Sequence, residues 1–174
     1  MNQLLSNDII TLRALEPTDL DMLYRWENDT SLWVVSDTIA PYSRKALWQS
    51  LQENTGDIYA QRQLRLIITL TSDGTAIGTV DFLNFDPLNN RAELGLFITQ
   101  EMRGKGLGRQ SLEVITAYAR EHIGLKQLYV YISTDNSACL HLFEEFGYRC
   151  VGVLKSWVKR GSNYQDVKLL QMIL

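Results

Sequence analysis

Apolar and polar residues alternate along this chain with two different periods, and their order predicts an α/β domain. Single-residue alternation and flanking turns predict strands over residues 9–15, 64–70, 76–85, 91–98 and 127–133, with two more around the turn at 160–162. Helical spacing and caps predict helices over about 17–26, 43–52 and 110–121, and one between the cap at 135–136 and Gly147. We therefore expect one domain over residues 1–174, with about seven strands and about four helices.

Composition narrows the class of protein. The chain has 174 residues, 45% of them apolar and 21% charged, with a net charge of −3. Its basic residues are scattered, which argues against nucleic-acid binding. The N-terminal segment has neither a basic region nor a long apolar run, so no secretory signal or membrane span is predicted, and we expect a cytoplasmic protein. The two cysteines and two histidines lack metal-ligand spacing, so no metal is expected.

A basic, glycine-rich loop, RGKGLG at residues 103–108, stands between a predicted strand and a predicted helix. Glycines let an anion approach the main chain, and a helix N-terminus offers free N–H groups and the positive end of its dipole. The pattern is typical of a phosphate site to which Arg103, Lys105 and Arg109 add charge, although an exposed basic turn has the same composition.

Two other phosphate loops fit these residues less well. The Walker pattern requires Ser or Thr directly after its lysine, and Lys105 is followed by Gly106. The dinucleotide fingerprint fits Gly104 and Gly106, but its third glycine falls on Arg109. Asp135 ends the next strand, where a ribose-binding acid would stand, so this fingerprint remains a minor alternative.

Two motifs in this order resemble the GCN5-related N-acetyltransferases, and the resemblance covers nearly the whole chain. RGKGLG is similar to that family's acetyl-CoA signature, and TDNSACLHLFEEFGY at residues 134–148 is similar to its Asn-containing cofactor helix. The opening segment LRALEPTDLDMLYRWEND and the Trp33 region look most like ribosomal-protein N-terminal acetyltransferases and spermidine N-acetyltransferases. The resemblance implies a mixed, mostly antiparallel sheet whose central pair of strands splays apart.

The resemblance also implies acetyl-CoA as co-substrate, lying in the wedge between the splayed strands. Gly95 is expected either to supply a bulge that opens the wedge or only to permit packing. Asn136 is expected to bond the cofactor, to cap its helix, or both. The full set of expected cofactor-binding residues is Leu96, Phe97, Ile98, Arg103, Gly104, Lys105, Gly106, Leu107, Gly108, Arg109, Asn136 and Phe143.

The chemistry asks for a base, because an alkyl ammonium with a pKa of about 10.4 must lose a proton before its nitrogen can attack a thioester. Glu93, at the start of the central strand, is the best candidate, unless it is only a surface residue at a strand end. Asp81 on the neighbouring strand is the second candidate. The resemblance implies that a backbone N–H near Phe97 or Ile98 stabilises the oxyanion.

The chain departs from the family at Phe143, where many members carry the tyrosine that protonates the leaving thiolate. We expect a water or Cys139, one turn earlier, to replace that tyrosine, unless the thiol only packs. The departure weakens the likeness to the spermidine enzymes, which use that tyrosine, and it supports an alternative function as a noncatalytic acyl-CoA-binding regulatory module. The expected catalytic residues are Glu93, Asn136 and Cys139.

Aromatic and acidic residues cluster in the first two helices and their connection, and we expect them to form the acceptor site. They are Trp26, Glu27, Asp29, Trp33, Asp37, Tyr42 and Trp48, with Asp81 on the sheet beside them. Each one also fits the core or a solvated surface. The sequence thus predicts an acetyl-CoA-dependent N-acetyltransferase that acts directly on the primary amine of a peptide N-terminus, a polyamine or another small molecule. It leaves open whether the protein forms a homodimer.

Overall fold

A single seven-stranded sheet organises the molecule. The computed structural model describes residues 4–36 and 38–174. The strands are β1 (Ile10–Arg13), β2 (Leu64–Leu70), β3 (Ala76–Asp86), β4 (Arg91–Ile98), β5 (Gln127–Ser133), β6 (Arg149–Arg160) and β7 (Asn163–Ile173). They lie in the order β1-β2-β3-β4-β5-β7-β6. Among the strands of the described ranges only the β4–β5 pair is parallel, so the prediction of a mixed, mostly antiparallel sheet is confirmed.

Helices lie on both faces of this sheet. They are α1 (Leu20–Glu27), α2 (Trp33–Ser36), α3 (Arg44–Glu53), α4 (Ile58–Gln61), α5 (Leu107–Tyr118) and α6 (Ser137–Phe146). Four of the six have eight residues or more, as the periodicity predicted, whereas α2 and α4 are single turns. No helix within the described ranges is both long and apolar enough to cross a membrane.

The two faces of the sheet have different partners because successive strand residues point to opposite sides. Leu94 of β4 belongs to the main hydrophobic core, together with Leu112 of α5 and Phe143 of α6. Phe97, three residues further along β4, points to the other face and meets the ring of Trp26 from α1, with ring centroids 5.4 Å apart. The helices α5 and α6 therefore share one face, and α1 covers the other.

Local signals set several helix ends where the sequence predicted them. The Ser43 hydroxyl accepts a hydrogen bond from the Ala46 amide and caps α3. The Asn136 side-chain oxygen accepts one from the Cys139 amide and caps α6. Gly147 ends α6 with a φ of +119°, a conformation that favours glycine.

Other boundaries differ from the prediction. Helix α5 begins at Leu107 rather than at residue 110, because Gly106 adopts a left-handed conformation (φ +76°) that lets the helix start inside the glycine loop. Strand β1 ends at Arg13, since the chain turns there into the 3-10 helix Pro17–Asp19 that precedes α1. Helices α2 and α4 were not predicted because four residues are too few to display a helical period.

Candidate active site

The two central strands separate after three residue pairs. The ladder between β4 and β5 ends at the pair Glu93–Tyr129. Beyond it β4 stays paired with β3 through Ile98, and β5 stays paired with β7 through Ser133. Residues 94–98 therefore turn one backbone edge towards an open wedge, where an extended ligand can pair as an added strand does. The residues expected to pair with pantetheine, Leu96, Phe97 and Ile98, all lie on this edge.

The glycine loop follows the open edge directly. Gly104 and Gly106 have φ values of +73° and +76°, and a Cβ built on either would have no heavy atom within 4 Å. The first hydrogen bond of α5 runs from the Gln110 amide to the Gly106 carbonyl, so the amides of residues 107–109 precede it. The loop thus presents helix N-terminal N–H groups in open space. Because the Leu107 side chain is buried, only its main chain faces the loop.

The three basic side chains of the loop are exposed, and each has a partner of its own. For Lys105 the partner is Sδ of Met102, 3.6 Å from Nζ. Nε of Arg103 donates to the Ile98 carbonyl at 2.9 Å, which ties the loop to the end of β4. The Arg109 guanidinium lies 5.9 Å from the centre of the Phe146 ring in α6. Lys105 is the third exposed cation. All three positive charges therefore belong to the loop or to the first turn of the helix that follows it.

Gly108 has a second reason to be glycine. A Cβ at this position would lie 2.9 Å from Cδ2 of Leu142 in α6. Helices α5 and α6 therefore approach each other closely at the end of the loop. The position serves helix packing as well as any role in binding a phosphate.

Glu93 lies where the wedge opens, and its carboxylate is held. Its Oε2 accepts a hydrogen bond from Nδ2 of Asn84 in β3, at 2.8 Å. The β3–β4 register is regular at Gly95 and shifts instead between Leu83 and Asp86. The expectation of a bulge at Gly95 is therefore wrong, because the extra residue lies in β3. Close packing does not require glycine there either, since an added Cβ would meet only ordinary contacts.

Two of the acids expected at the acceptor site are paired with one arginine. Nε of Arg65 in β2 donates to Asp81 at 2.6 Å, and its Nη1 donates to Glu27 at 2.5 Å. Burial opposes the charge of this guanidinium, but the two carboxylates outweigh burial and raise the pKa of Arg65. Burial raises the pKa of Asp81, and Arg65 works against that change. This triad joins α1 to the sheet and carries a net charge of −1.

Trp26 and Phe97 form an aromatic wall beside the triad. They line a small cavity of about 110 Å³ that Asp29 and Arg103 also border. Hydrogen bonds from Ser31 lower the pKa of Asp29, and Arg103 contributes to the same effect. The cavity therefore connects the acceptor residues of α1 with the first residue of the glycine loop.

The remaining expected acceptor residues lie around the end of α1. Nε1 of Trp33 donates to the Glu27 carbonyl at 2.9 Å, and the main chain of Tyr42 exchanges two hydrogen bonds with Asn28. The ring of Tyr42 is exposed, and so is Trp48 on α3. Asp37 lies outside the described residues. Hydrogen bonds thus connect the C-terminal end of α1 to Trp33 and Tyr42 in the segment that follows it.

Helix α6 brings the other expected residues to the opposite face of the sheet. The Asn136 oxygen caps the helix, which leaves its amide nitrogen free to donate. Burial raises the pKa of Cys139 to about 11. Phe143 is 1% exposed and meets the ring of Tyr148 edge-on at 4.9 Å. The Phe143 ring is a core residue, and Cys139, one turn earlier, is only partly buried.

Sequence reasoning did not single out four residues that border the site. Asn84 interrupts the alternation of β3 as a polar residue, a signal that was available, whereas Arg65 fits the alternation of β2 between Leu64 and Leu66 and gave no such signal. Tyr129 and Tyr131 of β5 contact each other edge-on at 5.8 Å, and Tyr129 pairs with Glu93. Their spacing of two places both on one face of β5, the same face as Glu93 on β4.

Comparisons with known proteins agree with this architecture. Residues 10–149 match a family model described as an acetyltransferase (GNAT) domain. The spermidine N(1)-acetyltransferase of Vibrio cholerae is 25% identical over 170 residues, which cover 96% of this chain and 94% of the relative.

Solved structures of the Vibrio cholerae enzyme superpose well. The one in complex with CoA and spermine has a TM-score of 0.87 at 24% identity and covers 96% of both chains. A structure described as dodecameric has a TM-score of 0.79 at 25% identity, with coverage of 96% of this chain and 95% of the other.

Proposed function

The chain belongs to the GNAT family of acetyltransferases, and from this premise we propose that it transfers the acetyl group of acetyl-CoA directly to a primary amine held between α1 and the sheet. It is an acetyl-CoA-dependent N-acetyltransferase. Acetyl-CoA supplies the acetyl group as an activated thioester. The observation that carries the proposal is the wedge that opens at Glu93–Tyr129 and leads straight into the glycine loop.

The residues of this chain fit acetyl-CoA along the wedge and the loop. The free edge of residues 96–98 would pair with the pantetheine amides as an added strand does. The amides of residues 104–109 would hold the pyrophosphate, with the helix dipole of α5 and the exposed cations Arg103, Lys105 and Arg109 in support. The free amide nitrogen of Asn136 would donate to the pantetheine arm.

Glu93 is the proposed base for the amine. It lies on the acceptor face at the mouth of the wedge and accepts a hydrogen bond from the neutral amide of Asn84. Asp81, which pairs with Gly95 across the β3–β4 ladder, serves Arg65 as counter-ion. Burial raises the pKa of Asp81, but Arg65 favours its charged form, and protonating Asp81 would weaken its ion pair with this guanidinium. Glu93, whose carboxylate is not the counter-ion of Arg65, is therefore the better proton acceptor.

The leaving thiolate has no hydroxyl at Phe143 to protonate it. The pKa of about 11 keeps the Cys139 thiol protonated through the neutral range, so it can donate a proton from the same stripe of α6. A water in the wedge is the other donor. Either one suffices near neutral pH, because a thiolate with a pKa of about 8.5 is a tolerable leaving group.

The acceptor is proposed to be a small alkyl amine, with spermidine the first to test because of the Vibrio cholerae relative. The aromatic wall of Trp26 and Phe97 suits an alkyl ammonium. Because Arg65 already pairs with Glu27 and Asp81, fewer charges remain for a polycation than the sequence suggested. A monoamine therefore belongs in the same panel.

The test is release of free CoA thiol from acetyl-CoA with an amine panel, with the acetylated amine identified by mass. Thiol release should depend on the amine. Glu93→Gln should lower kcat by about hundredfold at unchanged CoA affinity, since general base catalysis contributes at least this much. Glu113→Gln, exposed on α5, is the matched control. Amine-independent release, or a fully active Glu93→Gln variant, would contradict the proposal.

Two broader expectations stay predictions. We expect residues 1–174 to form one domain, and we expect the protein in the cytoplasm. The dodecameric relative favours association of several copies over a monomer, and light scattering at several concentrations would decide it.

A further inference from the structure

Strand β3 carries one extra residue beside Glu93. The β3–β4 ladder is regular to the pair Leu83–Glu93, and its next pair is Asp86–Arg91. Three steps on β3 thus correspond to two on β4, which defines a β-bulge. Asn84 occupies the bulge with a φ of +49°, a left-handed conformation that asparagine tolerates better than other residues with a side chain.

The bulge aims the Asn84 amide at Glu93. Nδ2 of Asn84 lies 2.8 Å from Oε2 of Glu93. A carboxylate oxygen can only accept, so the amide nitrogen must be the group that faces it. A regular strand would place the side chain at position 84 on the opposite face from Leu83 and Glu93. The hydrogen bond therefore depends on the extra residue.

We propose that Asn84 is a positioning residue that holds Oε2 of Glu93 and leaves Oε1 to take the amine proton. This rests on the proposed role of Glu93 as base. A glutamate side chain has three rotatable bonds, and Glu93 is only partly buried, so packing alone does not restrain its carboxylate. A hydrogen bond to one oxygen restrains it at the mouth of the wedge.

Two substitutions separate the amide from the backbone shape. Asn84→Gly keeps the left-handed bulge and removes the donor, whereas Asn84→Asp keeps the size and replaces the donor with a charged acceptor. Asn90→Gly is the matched control, because Asn90 has the same φ of +49° in the turn between β3 and β4. All variants are compared in kcat, in KM for acetyl-CoA and in thermal unfolding.

We expect Asn84→Gly to lower kcat by about tenfold, the effect of losing one hydrogen bond to a charged group. Asn84→Asp should lower it further, because like charges then face each other. The KM for acetyl-CoA should not change, and Asn90→Gly should be fully active. In the Glu93→Gln background, Asn84→Gly should cause no further loss of kcat. A residue with a merely structural role would lower kcat equally in both backgrounds.

Four outcomes would overturn the proposal or the proposed function on which it rests. Wild-type kcat in Asn84→Gly, with Glu93→Gln impaired, overturns the role of Asn84 and leaves the proposed function intact. Equal losses of kcat with and without Glu93→Gln also overturn it. Wild-type kcat in Glu93→Gln overturns both the base and its positioning, and absence of amine-dependent turnover in the wild type refutes the proposed function itself.

Discussion

Gly106 offers a sharp test of the anion site, because the chain contains a second glycine in the same conformation. Gly106 and Gly74 have φ values of +76° and +75°, and a Cβ on either meets no atom within 4 Å. Alanine at each position should cost only the left-handed strain, about 1 kcal/mol. For a chain of this length we expect both variants to lose about 2–4 °C in Tm.

Only the Gly106→Ala variant should lose affinity for CoA. Its methyl group would occupy the open space beside the amides at the start of α5, where the pyrophosphate would lie. Loss of one hydrogen bond to a charged group is worth about 1.5–3 kcal/mol, which corresponds to a Kd about tenfold to hundredfold higher. Calorimetric titration with CoA measures this difference, and scanning fluorimetry confirms the equal Tm values. Equal CoA affinities in the two variants would refute the loop as the pyrophosphate site.

Further predictions concern the core, the thiols and the pH dependence of stability. Phe143→Ala should lower the free energy of unfolding by about 3–5 kcal/mol in urea, whereas Phe143→Tyr should raise kcat by up to about tenfold to hundredfold at high pH if an acid helps there. A small loss of stability in the alanine variant would contradict the burial of the ring.

Because the pKa of Cys139 is about 11, iodoacetamide at pH 8 should modify exposed Cys150 much faster, as peptide mapping would show; equal rates would count against this. A hydrogen bond from Arg13 lowers the pKa of Asp19, so its contribution to stability is present above about pH 4 and lost as pH falls through the lower folded value. Urea unfolding of Asp19→Asn should therefore show less acid sensitivity than the wild type.

Local signals were sufficient to predict most of the elements. The alternation in β2 and β5, the caps Ser43 and Asn136 and the terminator Gly147 each act over a few neighbouring residues, so they can be read along the chain. The glycine loop belongs to the same class. Its conformation comes from its own glycines and from the helix that follows it.

The contacts among the charged and polar side chains of the site could not be predicted from local sequence signals. Glu27 and Asp81 were expected to be free acids, but Arg65 pairs with both, and these residues are 38 and 16 positions away from it. Asn84 meets Glu93 only because β3 carries a bulge. No local pattern encodes a contact that depends on the pairing of distant strands.

The sequence by itself determined the order of strands and helices, the glycine loop and the helix caps, because these depend on periodicity and on residues close together along the chain. Tertiary structure alone decided where β4 and β5 separate. It also decided that Arg65 pairs with Glu27 and Asp81 and not with Glu93. β5 leaves β4 after Tyr129 and continues along β7, a strand that begins 30 residues after β5 ends. The wedge exists because β5 pairs with β7 beyond Tyr129, and pairing between strands so far apart along the chain is established only in the folded sheet.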